Sequence, residues 1–220
     1  MIFKTAGWPE HLGAPMSEQH DGPDCRHSPA AERNGPSILA ALQGLLPPRG
    51  LLLEIASGTG QHAAFCSPGL PGWQWQPSDG DAAALPSITA WCAGQPRVQP
   101  PIRLDVLDTA WPGVPATVDA IYCANLIHIA PWACTAALMR GAARHLKPEG
   151  LLLTYGPFLV EGEPTAPSNL AFDADLRARD PAWGLRPLSA VTAQAATAGL
   201  VLRERLKLPA NNLMLVWVRG

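Results

Sequence analysis

The chain reads as a mostly parallel α/β sheet that ends in an antiparallel strand pair. Three observations predict it. Short apolar runs alternate with helical segments from residue 51 to about 155, a rhythm that belongs to strands joined by crossover helices. A small-residue loop, Ala56-Ser57-Gly58-Thr59-Gly60, directly follows the first apolar run. Two apolar runs near the end, about 200–207 and 213–219, are separated only by Pro209-Ala210-Asn211-Asn212, too short a link for a parallel crossover.

The elements follow in order. Ser28 can cap a helix that Pro29 opens, and Ile38, Leu39, Leu42, Leu45 and Leu46 share one face. Pro36 predicts a break near Arg33-Asn34-Gly35. Strand one is 51–56, with a helix from about 60 to 67; strand two is 73–77, with a helix around 83–93. Strand three lies near 101–105 and strand four is 118–124, followed by a helix from about 132 to 146. Lys147-Pro148-Glu149-Gly150 is expected to turn into strand five, 151–155. Residues 156–187 hold many Pro, Gly and polar residues and read as an irregular binding loop or lid. A helix near 188–198 stops at Gly199.

Composition narrows the classes. The 220 residues suit one domain, taken as 28–220, behind an N-terminal extension of residues 1–27 that is expected to be disordered. Met16 is an alternative start. Net charge of −2 gives no general attraction to nucleic acid or anionic membranes. Five scattered cysteines without a C-x-x-C pair argue against a disulfide framework or a metal site and favour a reducing, cytoplasmic setting. No apolar run reaches the roughly 20 residues that span a bilayer.

The loop admits two ligands. Gly58-Thr59-Gly60-Gln61-His62-Ala63 fits G-x-G-x-x-A, which seats a dinucleotide pyrophosphate on a helix N-terminus. Glu54-x-Ala56-x-Gly58-x-Gly60 resembles motif I of class I methyltransferases, whose ligand, S-adenosylmethionine, carries no phosphate. Glu54 would place negative charge near a pyrophosphate, which favours the second. Further strand ends add Asp79 as a ribose partner and Asp105, with the Val106 backbone, as an adenine partner. Asp79 could instead cap a helix, and Asp105 could simply close a turn.

Asn125 follows strand four, where the transferable methyl group should lie, and His128 is the first candidate base, with Tyr155 second. A histidine on so apolar a segment is more often a packed core residue. His62 either shapes the pocket floor or packs. Trp132, Trp183 and Phe172 are candidate acceptor-pocket aromatics, and Arg177, Arg179 and Arg186 either bind an acidic acceptor or form local ion pairs.

Several longer segments carry a family resemblance. They are Ser28–Asn34, Leu53–Ala63, Trp75–Asp79, Asn125–Trp132, Tyr155–Phe158, Ser168-Asn169, Phe172-Asp173, Leu176–Gly184 and Leu208–Leu213. Over residues 28–220 the chain resembles the methyltransferase-like protein 26 family. The resemblance implies a Rossmann-like class I methyltransferase fold with a seven-stranded sheet, S-adenosylmethionine as cofactor and a small-molecule methyl acceptor. It implies cofactor contacts from Glu54, Ala56, Ser57, Gly58, Gly60, Asp79, Asp105, Val106 and Asn125. Arg33 and Asn34, in the segment before the first strand, are expected to fold over the same site, Arg33 either meeting the methionyl carboxylate or serving a structural clasp. A non-catalytic cofactor-binding protein and a nicotinamide-dependent reductase are the alternatives.

Overall fold

Each apolar run of the sequence becomes a strand of one sheet, and the computed structural model describes it over residues 25–220. Residues 1–24, which hold most of the expected extension and both possible start methionines, lie outside the described residues. Residues 25–27 belong to the ordered fold: the Arg26 amide donates to Ser87 Oγ (3.0 Å) and its carbonyl accepts from Trp91 Nε1 (2.8 Å).

The sheet has seven strands in the order β3-β2-β1-β4-β5-β7-β6. They are β1 (Gly50–Ile55), β2 (Trp73–Asp79), β3 (Ile102–Arg103), β4 (Val118–Ala124), β5 (Leu146–Gly156), β6 (Leu200–Leu208) and β7 (Asn212–Arg219). The first five pair in parallel, while β7 runs antiparallel to both β5 and β6. This is the Rossmann-like arrangement with an antiparallel C-terminal pair that the sequence predicts.

Alternation along each strand splits the core between two faces. Leu53, Ile55, Ile121, Leu152 and Trp217 pack beneath α4 (Trp132–His145) and α6 (Leu188–Thr197). Leu52, Tyr122, Leu153, Tyr155 and Val216 pack with Ile38 of α1 (Pro29–Leu45) and Ala63 of α2 (Gln61–Cys66). A further helix, α3 (Leu85–Trp91), follows β2.

Four local expectations are corrected. First, α1 does not break at 33–35. It runs through Pro36, whose ring is exposed, while Gly35 is buried so tightly that a Cβ would sit 3.0 Å from Phe65 Cδ1. Docking on α2 offsets the roughly 3 kcal/mol that an interior proline costs a helix, and Ser37 Oγ donates to the Asn34 carbonyl (2.9 Å) in the distorted turn. Second, β2 continues through Pro77 to Asp79. Trp75 bonds laterally to residues 97 and 99, and Pro77 faces the same side, where pairing with β3 starts only at Ser78.

Third, Lys147–Gly150 is a bulge inside β5 and not the turn that begins it. The register steps from Val118↔Leu146 to Ala120↔Leu151, and Lys147 Nζ is tied to Asp119 Oδ1 at 2.6 Å. Fourth, the segment 156–187 is not wholly irregular: it contains α5 (Pro167–Arg179). Only Asn169 and Leu176 of this helix are buried, so no apolar stripe announces it.

Candidate functional site

The site forms where β1, β2 and β4 reach their C-terminal ends, the position at which open α/β sheets bind ligands. The chain leaves β1 through Ala56 and Gly58, both left-handed (φ 56 and 59), and enters α2 through Gly60 (φ 92). A Cβ on Gly60 would lie 2.7 Å from Ile88 Cα, so only glycine lets α2 start against α3.

Hydrogen bonds to β2 then fix the loop. The Ser57 amide donates to the Ser78 carbonyl (2.9 Å), and the Ser78 amide returns a bond to Ser57 Oγ (3.1 Å). Ser78 Oγ donates to the Glu54 carbonyl (2.6 Å), and the Gly58 amide donates to Asp79 Oδ2 (2.8 Å). Asp79 Oδ1 accepts from the Asp81 amide (2.9 Å). A carboxylate offers about four lone-pair sites, so Asp79 keeps acceptor capacity facing outward. Burial raises its pKa, and the two amide donors oppose that rise.

The N-terminal segment closes over this loop. The Ser28 amide donates to Gln61 Oε1 (2.6 Å), which also accepts from Thr59 Oγ1 (2.9 Å), and Ser87 Oγ donates to the Thr59 carbonyl (2.8 Å). A cavity of about 390 Å³ remains between the first turns of α1 and the loop. It lies within the range typical of small-molecule sites.

The structure brings six of the expected residues to this cavity: Asn34, Ala56, Ser57, Gly58, Asp79 and Asn125. Ser28, Ala30, Ala31, Thr59, His62 and the apolar pair Leu126 and Ile129 complete much of its wall. Of these, Ser28 was readable only as a helix cap, and Ala30 and Ala31 carry no chemical signal beyond their small size. Asn125 sits in the left-handed region (φ 60), which asparagine tolerates, and its amide is held by the Tyr155 carbonyl (2.8 Å).

Seven expected residues do not line it: Arg33, Glu54, Gly60, Asp105, Val106, His128 and Tyr155. Gly60 shapes the turn from behind. Asp105 Oδ1 accepts from the Leu107 amide (2.9 Å), closing its own turn, and Val106 is buried. Arg33 is exposed on α1. Glu54 lies beneath the loop, 2% exposed, where its carboxylate accepts from Trp75 Nε1 (2.9 Å). Burial pushes its pKa up to about 7, against the pull of Trp75 and Ser57.

His128 is fully enclosed between Gly156 and Phe158, whose ring lies edge-on at 4.7 Å. Neither ring nitrogen makes a hydrogen bond of normal geometry. Burial, helped by the Arg186 charge, drops its pKa to about 3; the Gly184 backbone and Asp173 oppose this only in part. Tyr155 projects to the opposite face of the sheet, with its hydroxyl buried and unpaired and its pKa raised to about 12 by burial. His62 lines the cavity, neutral because burial lowers its pKa to about 4, with Nδ1 3.3 Å from the Tyr122 hydroxyl.

The three arginines serve the fold. Arg177 pairs with Asp173 (2.9 Å), Arg179 with Asp175 (3.8 Å) and the Trp183 ring, and Arg186 donates to the carbonyls of Ile127 and Ala130 while lying over Trp132. Among the described residues no group of three or more histidine, cysteine or acidic side chains is arranged to hold a metal ion, and all five cysteines are free. No helix among them is long and apolar enough to cross a membrane.

A family model described as a protein of unknown function, DUF938, matches residues 25–219. The chain belongs to the DUF938 family. Solved structures show what fold this DUF938 member shares. The mitomycin 7-O-methyltransferase MmcR is similar with a TM-score of 0.74 at 18% identity, covering 86% of this chain and 53% of that one. Human N-acetylserotonin methyltransferase in complex with SAM gives 0.73 at 16% identity, covering 87% and 53%. CalO1, a methyltransferase in calicheamicin biosynthesis in its SAH-bound form, gives 0.70 at 18%, covering 87% and 55%. The chain thus has the class I methyltransferase fold, and it spans about half the length of these proteins.

Proposed function

We propose that the protein is an S-adenosylmethionine-dependent methyltransferase acting on a small-molecule acceptor. The observation that carries this reading is the cavity itself: it lies over the Ala56–Gly60 loop, between Asp79 and Asn125. His62 Nε2, buried in the cavity wall without a hydrogen bond of normal geometry, suits a ligand with its own polar groups. In its ionised form, reached above about pH 7, the buried Glu54 beneath the loop disfavours a pyrophosphate.

In this reading Asp79 holds the ribose hydroxyls, Asp105 and the Val106 amide meet the adenine, and Ala56 to Gly60 take the methionyl part. Asn34 closes the site from α1, with Arg33 at its outer edge. When bound, the cofactor would supply an electrophilic methyl group on a sulfonium, so that an acceptor lone pair would gain the methyl carbon while the C–S electron pair stayed on sulfur and the acceptor's proton left to solvent. The chain contributes chiefly orientation. His128 sits out of reach as a base and stays neutral; it props the Asn125–Ile129 segment. The finer assignment to the methyltransferase-like protein 26 group, the cytoplasmic setting and a single domain from about residue 25 belong to the same proposal.

A second reading has specific support. Neither His128 nor Tyr155 lines the cavity, as a protein that binds the cofactor without turnover would allow. Calorimetric titration with S-adenosylmethionine, S-adenosylhomocysteine and NAD separates the possibilities. Micromolar binding of the sulfur ligands and none of NAD is expected. NAD binding alone would overturn the proposal. Binding of the sulfur ligands with no methyl transfer to any acceptor would favour the second reading.

A further inference from the structure

A second cavity opens beyond the end of β5, on the same edge of the sheet as the first. It measures about 180 Å³, the scale that seats a single six-membered ring. Phe158, Val160, Leu208 and Leu213 give it an apolar wall, and Asn169 in the first turn of α5 and Thr165 just before that helix give it polar atoms. Its third side is the β6–β7 hairpin, whose turn holds Ala210 and Asn211 left-handed (φ 57 and 58).

The sheet places the two cavities side by side. Asn125, at the end of β4, lines the first, and Leu213, which pairs with Gly156 at the end of β5, lines the second. Two strand spacings separate them, about 10 Å. The partition runs through Gly156, where a Cβ would lie 2.7 Å from His128 Nε2 and 3.0 Å from Asn125 Oδ1. Phe158, packed on the His128 ring, forms part of the second cavity's side of this wall.

The polar groups select a ligand type. Asn169 is 8% exposed, and its Nδ2 donates to the Asn211 carbonyl (3.1 Å), which docks α5 on the hairpin. Its Oδ1 accepts no hydrogen bond from any described residue. The nearby cations are already engaged, Arg205 at 2.7 Å and Lys207 at 3.5 Å from Glu163. A carboxylate entering here would meet Glu163 and no unpaired cation. An uncharged ring with an O–H or N–H would meet Asn169 Oδ1.

We propose that this second cavity seats the body of the methyl acceptor and selects an uncharged, single-ring molecule carrying a hydrogen-bond donor. The proposal rests on the methyltransferase reading.

Saturation-transfer NMR on the full chain tests it, with phenol, anisole and benzoate as probes and S-adenosylhomocysteine titrated in parallel by calorimetry. Phenol is expected to bind at least tenfold more tightly than anisole, which lacks the donor, and than benzoate, which is charged; tenfold corresponds to one modest hydrogen bond. Val160→Trp and Thr165→Trp fill the cavity from two sides and should each abolish phenol binding while leaving S-adenosylhomocysteine binding and melting temperature unchanged. Equal binding of benzoate or anisole, phenol binding unmoved by both folded variants, or no phenol binding at all overturns the proposal. Phenol binding without S-adenosylhomocysteine binding would keep the cavity and remove the methyltransferase reading; the reverse would remove the cavity alone.

Discussion

Replacing Glu54 with glutamine should change how stability depends on pH. The carboxyl lies under the ligand loop, and the titratable groups that feel its charge most (Asp79, Cys66, Cys92, Tyr122 and Cys123) are all acids. Its pKa of about 7 in the fold compares with 4.5 for the free side chain. The folded protein therefore holds this proton more tightly than the unfolded chain. The resulting stability is complete below pH 4.5 and is lost as pH rises through about 7. At 1.36 kcal/mol per pH unit the full span is about 3 kcal/mol, of which about 2.5 kcal/mol falls between pH 5 and pH 8.

The wild-type curve alone does not isolate this effect. His62 and His128, with pKa values lowered from 6.5 to about 4 and about 3, act in the opposite sense. Their contribution is present above pH 6.5 and is lost as pH falls. The comparison with Glu54→Gln cancels both histidines. Glutamine keeps a carbonyl oxygen for Trp75 Nε1 but cannot ionise. Urea unfolding at pH 5, 6, 7 and 8 should show the variant gaining about 2.5 kcal/mol relative to wild type across the series. A difference that stays flat would refute the reasoning, because it would mean that the carboxyl is solvated or faces a cation and the loop has no desolvated floor.

Three further outcomes are expected. Asp79→Ala should weaken S-adenosylhomocysteine binding by roughly 1.5–3 kcal/mol, because the carboxylate both faces the cavity and clamps the Gly58 amide; normal calorimetric affinity in the folded variant would remove the ribose assignment. Gly141→Ala drives a Cβ into the Trp111 ring and should lower stability by about 1–3 kcal/mol, read as the denaturation midpoint. Ala56→Gly relieves a left-handed alanine and should raise stability by up to about 1 kcal/mol; a lower melting temperature would show that the Ala56 methyl makes packing contacts that outweigh its strain.

The strand sequence was legible because a buried parallel strand must be apolar along most of its length. Leu51–Leu53 and Ile121–Cys123 could be little else, and all of them except the half-buried Leu51 are buried. The loop was legible because left-handed turns and close packing restrict residue type, as Gly60 against Ile88 illustrates. α5 was not legible: it is held by Asn169 on the hairpin and by Asp173, which accepts from the Leu185 amide (2.7 Å), contacts made between distant segments. The continuity of α1 through Pro36 likewise depends on Phe65, thirty residues away.

The site divides in the same way. Spacing along the chain was enough to put Ala56, Ser57, Gly58, Asp79 and Asn125 at adjacent strand ends, since a parallel sheet brings successive C-termini to one edge. Which way a side chain turns at that edge depends on what packs against each face. The environment that His128, Tyr155 and Glu54 meet there left a histidine neutral in the core, a tyrosine buried with its hydroxyl unpaired on the α1 face and an acid under the loop. Sequence by itself determined the sheet and the edge at which the cavity opens, because both follow from local pattern. Only the tertiary structure decided which polar groups reach that place and with what charge, because desolvation is a property of all the neighbours at once.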